Sequence, residues 1–139
     1  MPDRSQDTNS TPAIERPSQD AIDREFLLSA VEHDEDLLRD LVGAFNLTYP
    51  QLLGKLRESI VAGAPKEIRA VVHQLQGMMA SLGATKAVLI LAEMGVAARD
   101  NNLALLPPLL DCVSGELARA KVNLDAILSK LLARAQGHR

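Results

Sequence analysis

From Asp20 to about Ala135 the apolar positions of the chain recur every three or four residues. Spacing of that kind gathers side chains on one face of a helix. A short first helix is predicted over Ile22 to Val31. His33-Asp34-Glu35-Asp36 then reads as a break and a new start, because Asp34 is a good N-cap and acids are favoured in a first turn. The second helix sets Leu38, Leu41, Val42, Phe45, Leu52, Leu56 and Ile60 in one phase through Pro50, which reads as a kink and not an end. Gly63-Ala64-Pro65 closes it. The third helix starts near Lys66 and aligns Ile68, Val71, Val72, Leu75, Met78, Met79 and Leu82. Gly83 suits the C′ position after it, and Thr85 is placed to cap a fourth helix over about Lys86 to Arg99. That helix ends at Asp100-Asn101-Asn102. The last helix starts around Pro107-Pro108, since proline is tolerated in a first turn. Its stripe is Leu106, Leu110, Val113, Leu117, Ala120, Leu124, Ile127 and Leu131.

Four long amphipathic helices with short connections predict an all-α fold, an antiparallel four-helix bundle with a short additional N-terminal helix. The second and last helices are longer than the middle pair. The first helix is expected to cover the part of that long pair the middle two do not reach. Residues 1–20 are rich in Pro, Ser, Thr, Asp and Gln and cannot bury enough to offset their ordering entropy, so they are assigned as a disordered tail. The bundle is assigned to residues 21–135 and a polar C-terminal tail to 136–139.

Composition narrows the function classes. Aromatics make up 2% of the 139 residues, so the core must be aliphatic. A net charge of −3 and almost no aromatics to stack on bases disfavour nucleic acid. The longest apolar run, Leu103 to Leu110, holds two prolines, so no membrane span is expected. No basic start followed by an apolar segment marks a secretory signal. A single Cys112 cannot form an internal disulfide, which suits a reducing cytoplasm. One position before the last helix's stripe, it reads as a packed free thiol.

The candidate chemistry lies on the third helix. His73 shares a strip with Arg69, Gln76, Gly77 and Ala80, roughly 100° from the apolar Val72 direction. Helical side chains lean toward the N-terminus, so Gln76 is expected to lean over His73 and Arg69 away from it. Gly77 costs about 1 kcal/mol relative to alanine in a helix interior, which calls for a compensating reason. Residue types alone leave two readings open. One is an exposed histidine beside a glycine needed for close helix packing. The other is a histidine that carries a group between proteins.

The stretch His73-Gln74-Leu75-Gln76-Gly77, followed by Ser81-Leu82-Gly83-Ala84, resembles the motif of histidine-containing phosphotransfer (HPt) domains: His, any residue, Leu, Lys, Gly, small residues, then a Leu-Gly-Ala helix end. The acidic helix start at Asp34, Phe45 and the step Pro50-Gln51-Leu52-Leu53 are similar too, and the resemblance covers Ile22 to about Leu124. It implies that His73 is the phosphoacceptor, taking a phosphoryl group from an aspartyl phosphate on a receiver domain and returning it to another. It also implies partners among the receiver domains of response regulators or hybrid sensor kinases. No cofactor is then expected on this chain, the Mg2+ belonging to the receiver. Two departures stand out. The usual Lys is replaced by Gln76, which offers an amide and no charge. Met78 and Met79 stand where small residues are common.

Other candidates have structural explanations. His33 among Asp34, Glu35 and Asp36 reads as capping and dipole chemistry and not as a metal site. No Glu-x-x-His, phosphate-binding loop, nucleophile elbow or paired cysteine motif occurs. The chain is thus expected to be a cytoplasmic, monomeric phosphocarrier without ATP-dependent kinase activity. Two alternatives remain at the level of sequence. Gln76 would suit a pseudo-HPt adaptor that docks a receiver or kinase without carrying phosphate. The regular last helix would suit a scaffold or self-associating module.

Overall fold

In the computed structural model, which describes residues 21–137, the chain forms helices α1 (Arg24–Ala30), α2 (Glu35–Ala62), α3 (Pro65–Ser81) and α4 (Thr85–Arg99), a 3-10 turn (Leu103–Leu105), and α5 (Leu106–Gly137). Residues 1–20 and 138–139, which carry most of both tail assignments, lie outside the described residues. The last helix takes in Gln136 and Gly137, because polar side chains do not by themselves stop a backbone ladder and helix ends vary by a residue or two.

The helix ends follow from a few residues. Asp34 Oδ1 accepts from the N–H groups of Asp36 (2.8 Å) and Leu37 (3.2 Å), the expected N-cap of α2. α2 runs unbroken through Pro50. At its end Gly63 is left-handed (φ 63°), and the Gly63 and Ala64 N–H groups return to the Ile60 and Ser59 carbonyls. α3 ends in the same Schellman pattern, with Gly83 at φ 75° and Ala84 N–H donating to Met79 O (2.9 Å). Ala84 therefore completes the end of α3 and is also the N-cap of α4, which has no side-chain cap. This corrects the expectation for Thr85, which is the first residue of α4. Three residues link the helices, and the last of them, Ala84, takes the N-cap position ahead of Thr85.

α2, α3, α4 and α5 form a closed antiparallel ring in which each packs on two neighbours. Its core is aliphatic, with Leu56, Ile68, Leu75, Met79, Leu91 and Leu117 among the fully buried side chains. Met79 is thus a core residue, while Met78 is half-buried against it. The α5 stripe from Leu106 through Leu124 is spent inside this core. Buried Glu116 on α5 meets Lys86 of α4 (3.8 Å) and, one turn on in its own helix, Arg119 (3.1 Å).

With 28 and 32 residues, α2 and α5 are about 42 and 48 Å long, against roughly 26 and 22 Å for α3 and α4. The segment around α1 fills the difference. Its Ala21 and Ile22 N–H groups donate to Asn123 Oδ1 on α5 (2.7 and 3.3 Å), and Asp23 N–H donates to Gly83 O in the α3–α4 turn (2.9 Å). Ile22 and Leu27 are buried there.

Candidate functional site

α3 presents two faces. Ile68, Val72, Leu75 and Met79 are buried, and the opposite side carries His73, exposed, with Arg69, Gly77 and Ala80 exposed along the same strip. Helical periodicity alone accounts for this division. The α3–α4 packing then sets what lies beside the imidazole.

An open groove of about 770 Å³ runs between α3 and α4. Its walls bring together His73, Arg69 and Gln76 from the expected strip, with Lys66 from the start of α3 and Arg99 from the end of α4. Gly95 forms part of the α4 wall, and a Cβ there would touch Val72 Cγ1 at 3.7 Å. Three cations thus line the surface next to the histidine. Arg69 lines the groove beside His73, so its expected lean away does not remove it from the site. Lys66 stands two turns before His73 and was within reach of the periodicity argument. Arg99 was not, since only the tertiary pairing of α3 with α4 brings it there. Arg99 also contacts Asp100 at 3.1 Å, which tempers its charge.

Gln76 is half-buried and points across the groove, with Nε2 3.4 Å from the Val88 carbonyl of α4. The expected lean over His73 is therefore corrected. A backbone carbonyl has a second lone pair free after its helical bond, and it draws the amide toward α4. At this length the bond is weak.

Gly77 bears on the packing reading of the strip. A Cβ built on it meets nothing within 4 Å. The glycine is therefore not required for packing among the described residues. Ala80, one turn further, lines a separate small cleft with Phe26 and Val88. Between His73 and Ala80 the strip holds Gly77 and Gln76, whose side chain is turned toward α4.

Elsewhere, Cys112 is exposed at the edge of an apolar groove of about 720 Å³ between α4 and α5, a correction to the packed thiol. It falls just off the stripe, where neither helix covers it. Among the described residues, no three His, Cys, Asp or Glu side chains cluster as metal ligands. No helix among them is long and apolar enough to cross a membrane.

The Hpt domain family model matches residues 40–134. The crystal structure of histidine-containing phosphotransfer protein B (HptB) from Pseudomonas aeruginosa PAO1 is similar in fold. It superimposes with a TM-score of 0.74 at 24% identity, covering 79% of this chain and 96% of that one. No curated protein sequence gives a match.

Proposed function

The chain belongs to the Hpt domain family, whose work is histidine phosphotransfer in two-component signalling, and from that premise we propose that His73 is its phosphoacceptor. The observation that carries this reading is the exposed imidazole beside Gly77, a glycine with no packing role of its own. A macromolecular donor needs a nucleophile it can reach and a neighbouring surface that does not obstruct it.

In the forward step a neutral ring nitrogen of His73 attacks the phosphorus of an aspartyl phosphate on a receiver domain. An N–P bond forms, the P–O bond to the aspartate breaks, and the carboxylate leaves with the bonding pair. The unprotonated nitrogen of an imidazole holds the lone pair that makes it a nucleophile. Return of the phosphoryl group to a second receiver reverses these bonds. Mg2+ carried by the receiver would stabilise the transferring group, and this chain supplies position and field. Arg69 and Lys66 on the groove walls offer the positive charge that the neutral Gln76 does not. The chain is a carrier in the cytoplasm and not a kinase.

The adaptor reading is favoured by one observation, the neutral amide at position 76 turned toward Val88 O. The scaffold reading loses its support, because the regular α5 stripe is occupied by the chain's own core. Phosphotransfer from phosphorylated receivers separates the first two. A relay takes label on His73, whereas an adaptor binds receivers and keeps none.

A further inference from the structure

The α3–α4 groove differs in charge from the other clefts of the bundle. Among the described residues, the α4–α5 groove holds Glu93 and Asp100, the α2–α3 groove holds Glu58 and Glu67 beside Lys55, and the Phe26 cleft holds Asp23. The α3–α4 groove is lined by Lys66, Arg69 and Arg99 and by no carboxylate, in a chain with 18 acidic and 15 basic residues. Arg99 shares its charge with Asp100, 3.1 Å away. Lys66 and Arg69 have no such partner. Neither has an acid three or four positions away along the helix, and no ion pair joins either one to a described residue.

This arrangement is unfavourable for the chain by itself. Lys66 is the second residue of α3 and Arg69 the fifth, near the helix end whose dipole is positive and disfavours cations. They stand three positions apart, so their like charges also repel. Packing does not hold them there, since both residues are exposed. On the facing wall, Ala92 and Gly95 of α4 carry little or no side chain. A Cβ on Gly95 would make only an ordinary contact with Val72 (3.7 Å), so the glycine leaves space and is not forced by a close approach of the helices. The volume of about 770 Å³ lies within the range of roughly 300–1,000 Å³ usual for small-molecule sites. It far exceeds the single phosphoryl group that His73 would carry.

We propose that this groove binds a small oligophosphate, a molecule with two or more linked phosphoryl groups, and that its occupancy blocks the relay. The blocking rests on the reading of His73 as phosphoacceptor, whereas the binding does not. Linked phosphates bring several negative charges to one place, and guanidinium groups bond to phosphate oxygens in pairs. Lys66 and His73 lie seven residues apart on α3, about 10.5 Å along the axis, so the cationic end and the histidine belong to one elongated site. A ligand anchored on Lys66, Arg69 and Arg99 and extended past Gly95 covers the α4 flank of the imidazole.

The test is calorimetric titration of the full chain with inorganic tripolyphosphate, with a nucleoside triphosphate and citrate alongside. Arg69→Gln combined with Arg99→Gln is expected to raise the Kd for tripolyphosphate about tenfold or more. Gly95→Gln keeps every charge in place and fills the groove, and should weaken binding as well. Arg39→Gln removes an exposed cation of α2 outside the groove and should leave Kd unchanged. Equal affinity for tripolyphosphate and the nucleotide supports recognition of the phosphates alone, and tighter binding of the nucleotide supports an added contact with the apolar Val72 and Val96. No binding of tripolyphosphate at millimolar concentration overturns the proposal. So does wild-type Kd in the double variant or in Gly95→Gln, an equal loss in Arg39→Gln, or citrate bound as tightly as tripolyphosphate. In transfer from a phosphorylated receiver, with Mg2+ in excess, tripolyphosphate should slow labelling of the wild type with half-inhibition near its Kd. Gly95→Gln should need more ligand for the same effect. Undiminished labelling at saturating ligand overturns the blocking. A wild type that takes no label without ligand defeats the relay, while the Kd values still decide the site.

Discussion

Gly77→Ala should make the protein more stable and a worse carrier. The glycine sits in the interior of α3, where the substitution adds one methyl that meets no heavy atom within 4 Å. No steric cost therefore offsets the propensity gain, about 0.8–1.0 kcal/mol for alanine over glycine in a helix. Part of this gain acts by restricting the unfolded chain. For a domain of this size it corresponds to a rise in Tm of roughly 3–6 °C. The methyl would also stand on the bare backbone beside His73, where a donor must approach. Misplacement of reacting groups by about 1 Å costs on the order of a hundredfold in rate, so a loss of about tenfold or more in transfer is expected. The assay pairs thermal melting with transfer from a phosphorylated receiver. Gly115→Ala on α5 is the control, since its Cβ also meets nothing within 4 Å and it lines neither the groove nor the Phe26 cleft. It should stabilise by a similar amount and transfer like wild type. A destabilised Gly77→Ala would mean that the glycine packs after all. A stabilised variant with wild-type transfer would mean that no partner uses the bare backbone. Either result refutes the reasoning.

Gln76→Lys exchanges the amide near Val88 O for a charge one turn past His73 and should speed transfer from a phosphorylated receiver; an unchanged rate would show that charge at this position is immaterial. Gly83→Ala puts a side chain at φ 75° and a Cβ 2.8 Å from Phe26 Cδ2, so a loss of about 1–3 kcal/mol in melting is expected. Hydrogen exchange should show α1 losing protection first in that variant. Lys121 is held above its ordinary value of 10.5 by the hydrogen bond and charge of Asp125, 2.8 Å away. The folded chain binds that proton more tightly than the unfolded one. The resulting stabilisation is complete below the unfolded value and disappears as pH rises through the folded one. Asp125→Asn should therefore flatten the alkaline limb of the Tm–pH profile, and an unaltered limb would count against the pairing.

The parts of this molecule that could be read from its sequence are those set by local chemistry. Asp34 caps α2 because a short side-chain oxygen can reach the next free N–H groups, whatever lies elsewhere. Gly63 and Gly83 end helices because the left-handed backbone favours a residue without Cβ. The three-four spacing placed the core, and it put His73 on the outer face. What could not be read depends on neighbours distant in sequence. Gln76 is turned by a carbonyl twelve residues away on another helix. Arg99 enters the groove only because α4 folds back along α3. Thr85 loses its capping role because Ala84 is needed at the end of α3. Cys112 sits one position off an apolar stripe, and whether such a position is covered depends on where the adjacent helix ends. Phe26 looks like one more apolar residue of a short helix until Gly83 and Ala80 are placed beneath it.

The most direct measurement is transfer of labelled phosphate from a panel of phosphorylated receiver domains to the wild-type chain and to His73→Gln. Acid-labile, base-stable label on the wild type, absent from His73→Gln, is the expected result and would establish His73 as the carrier. Label retained by His73→Gln, or receiver binding with no label on either protein, would contradict it.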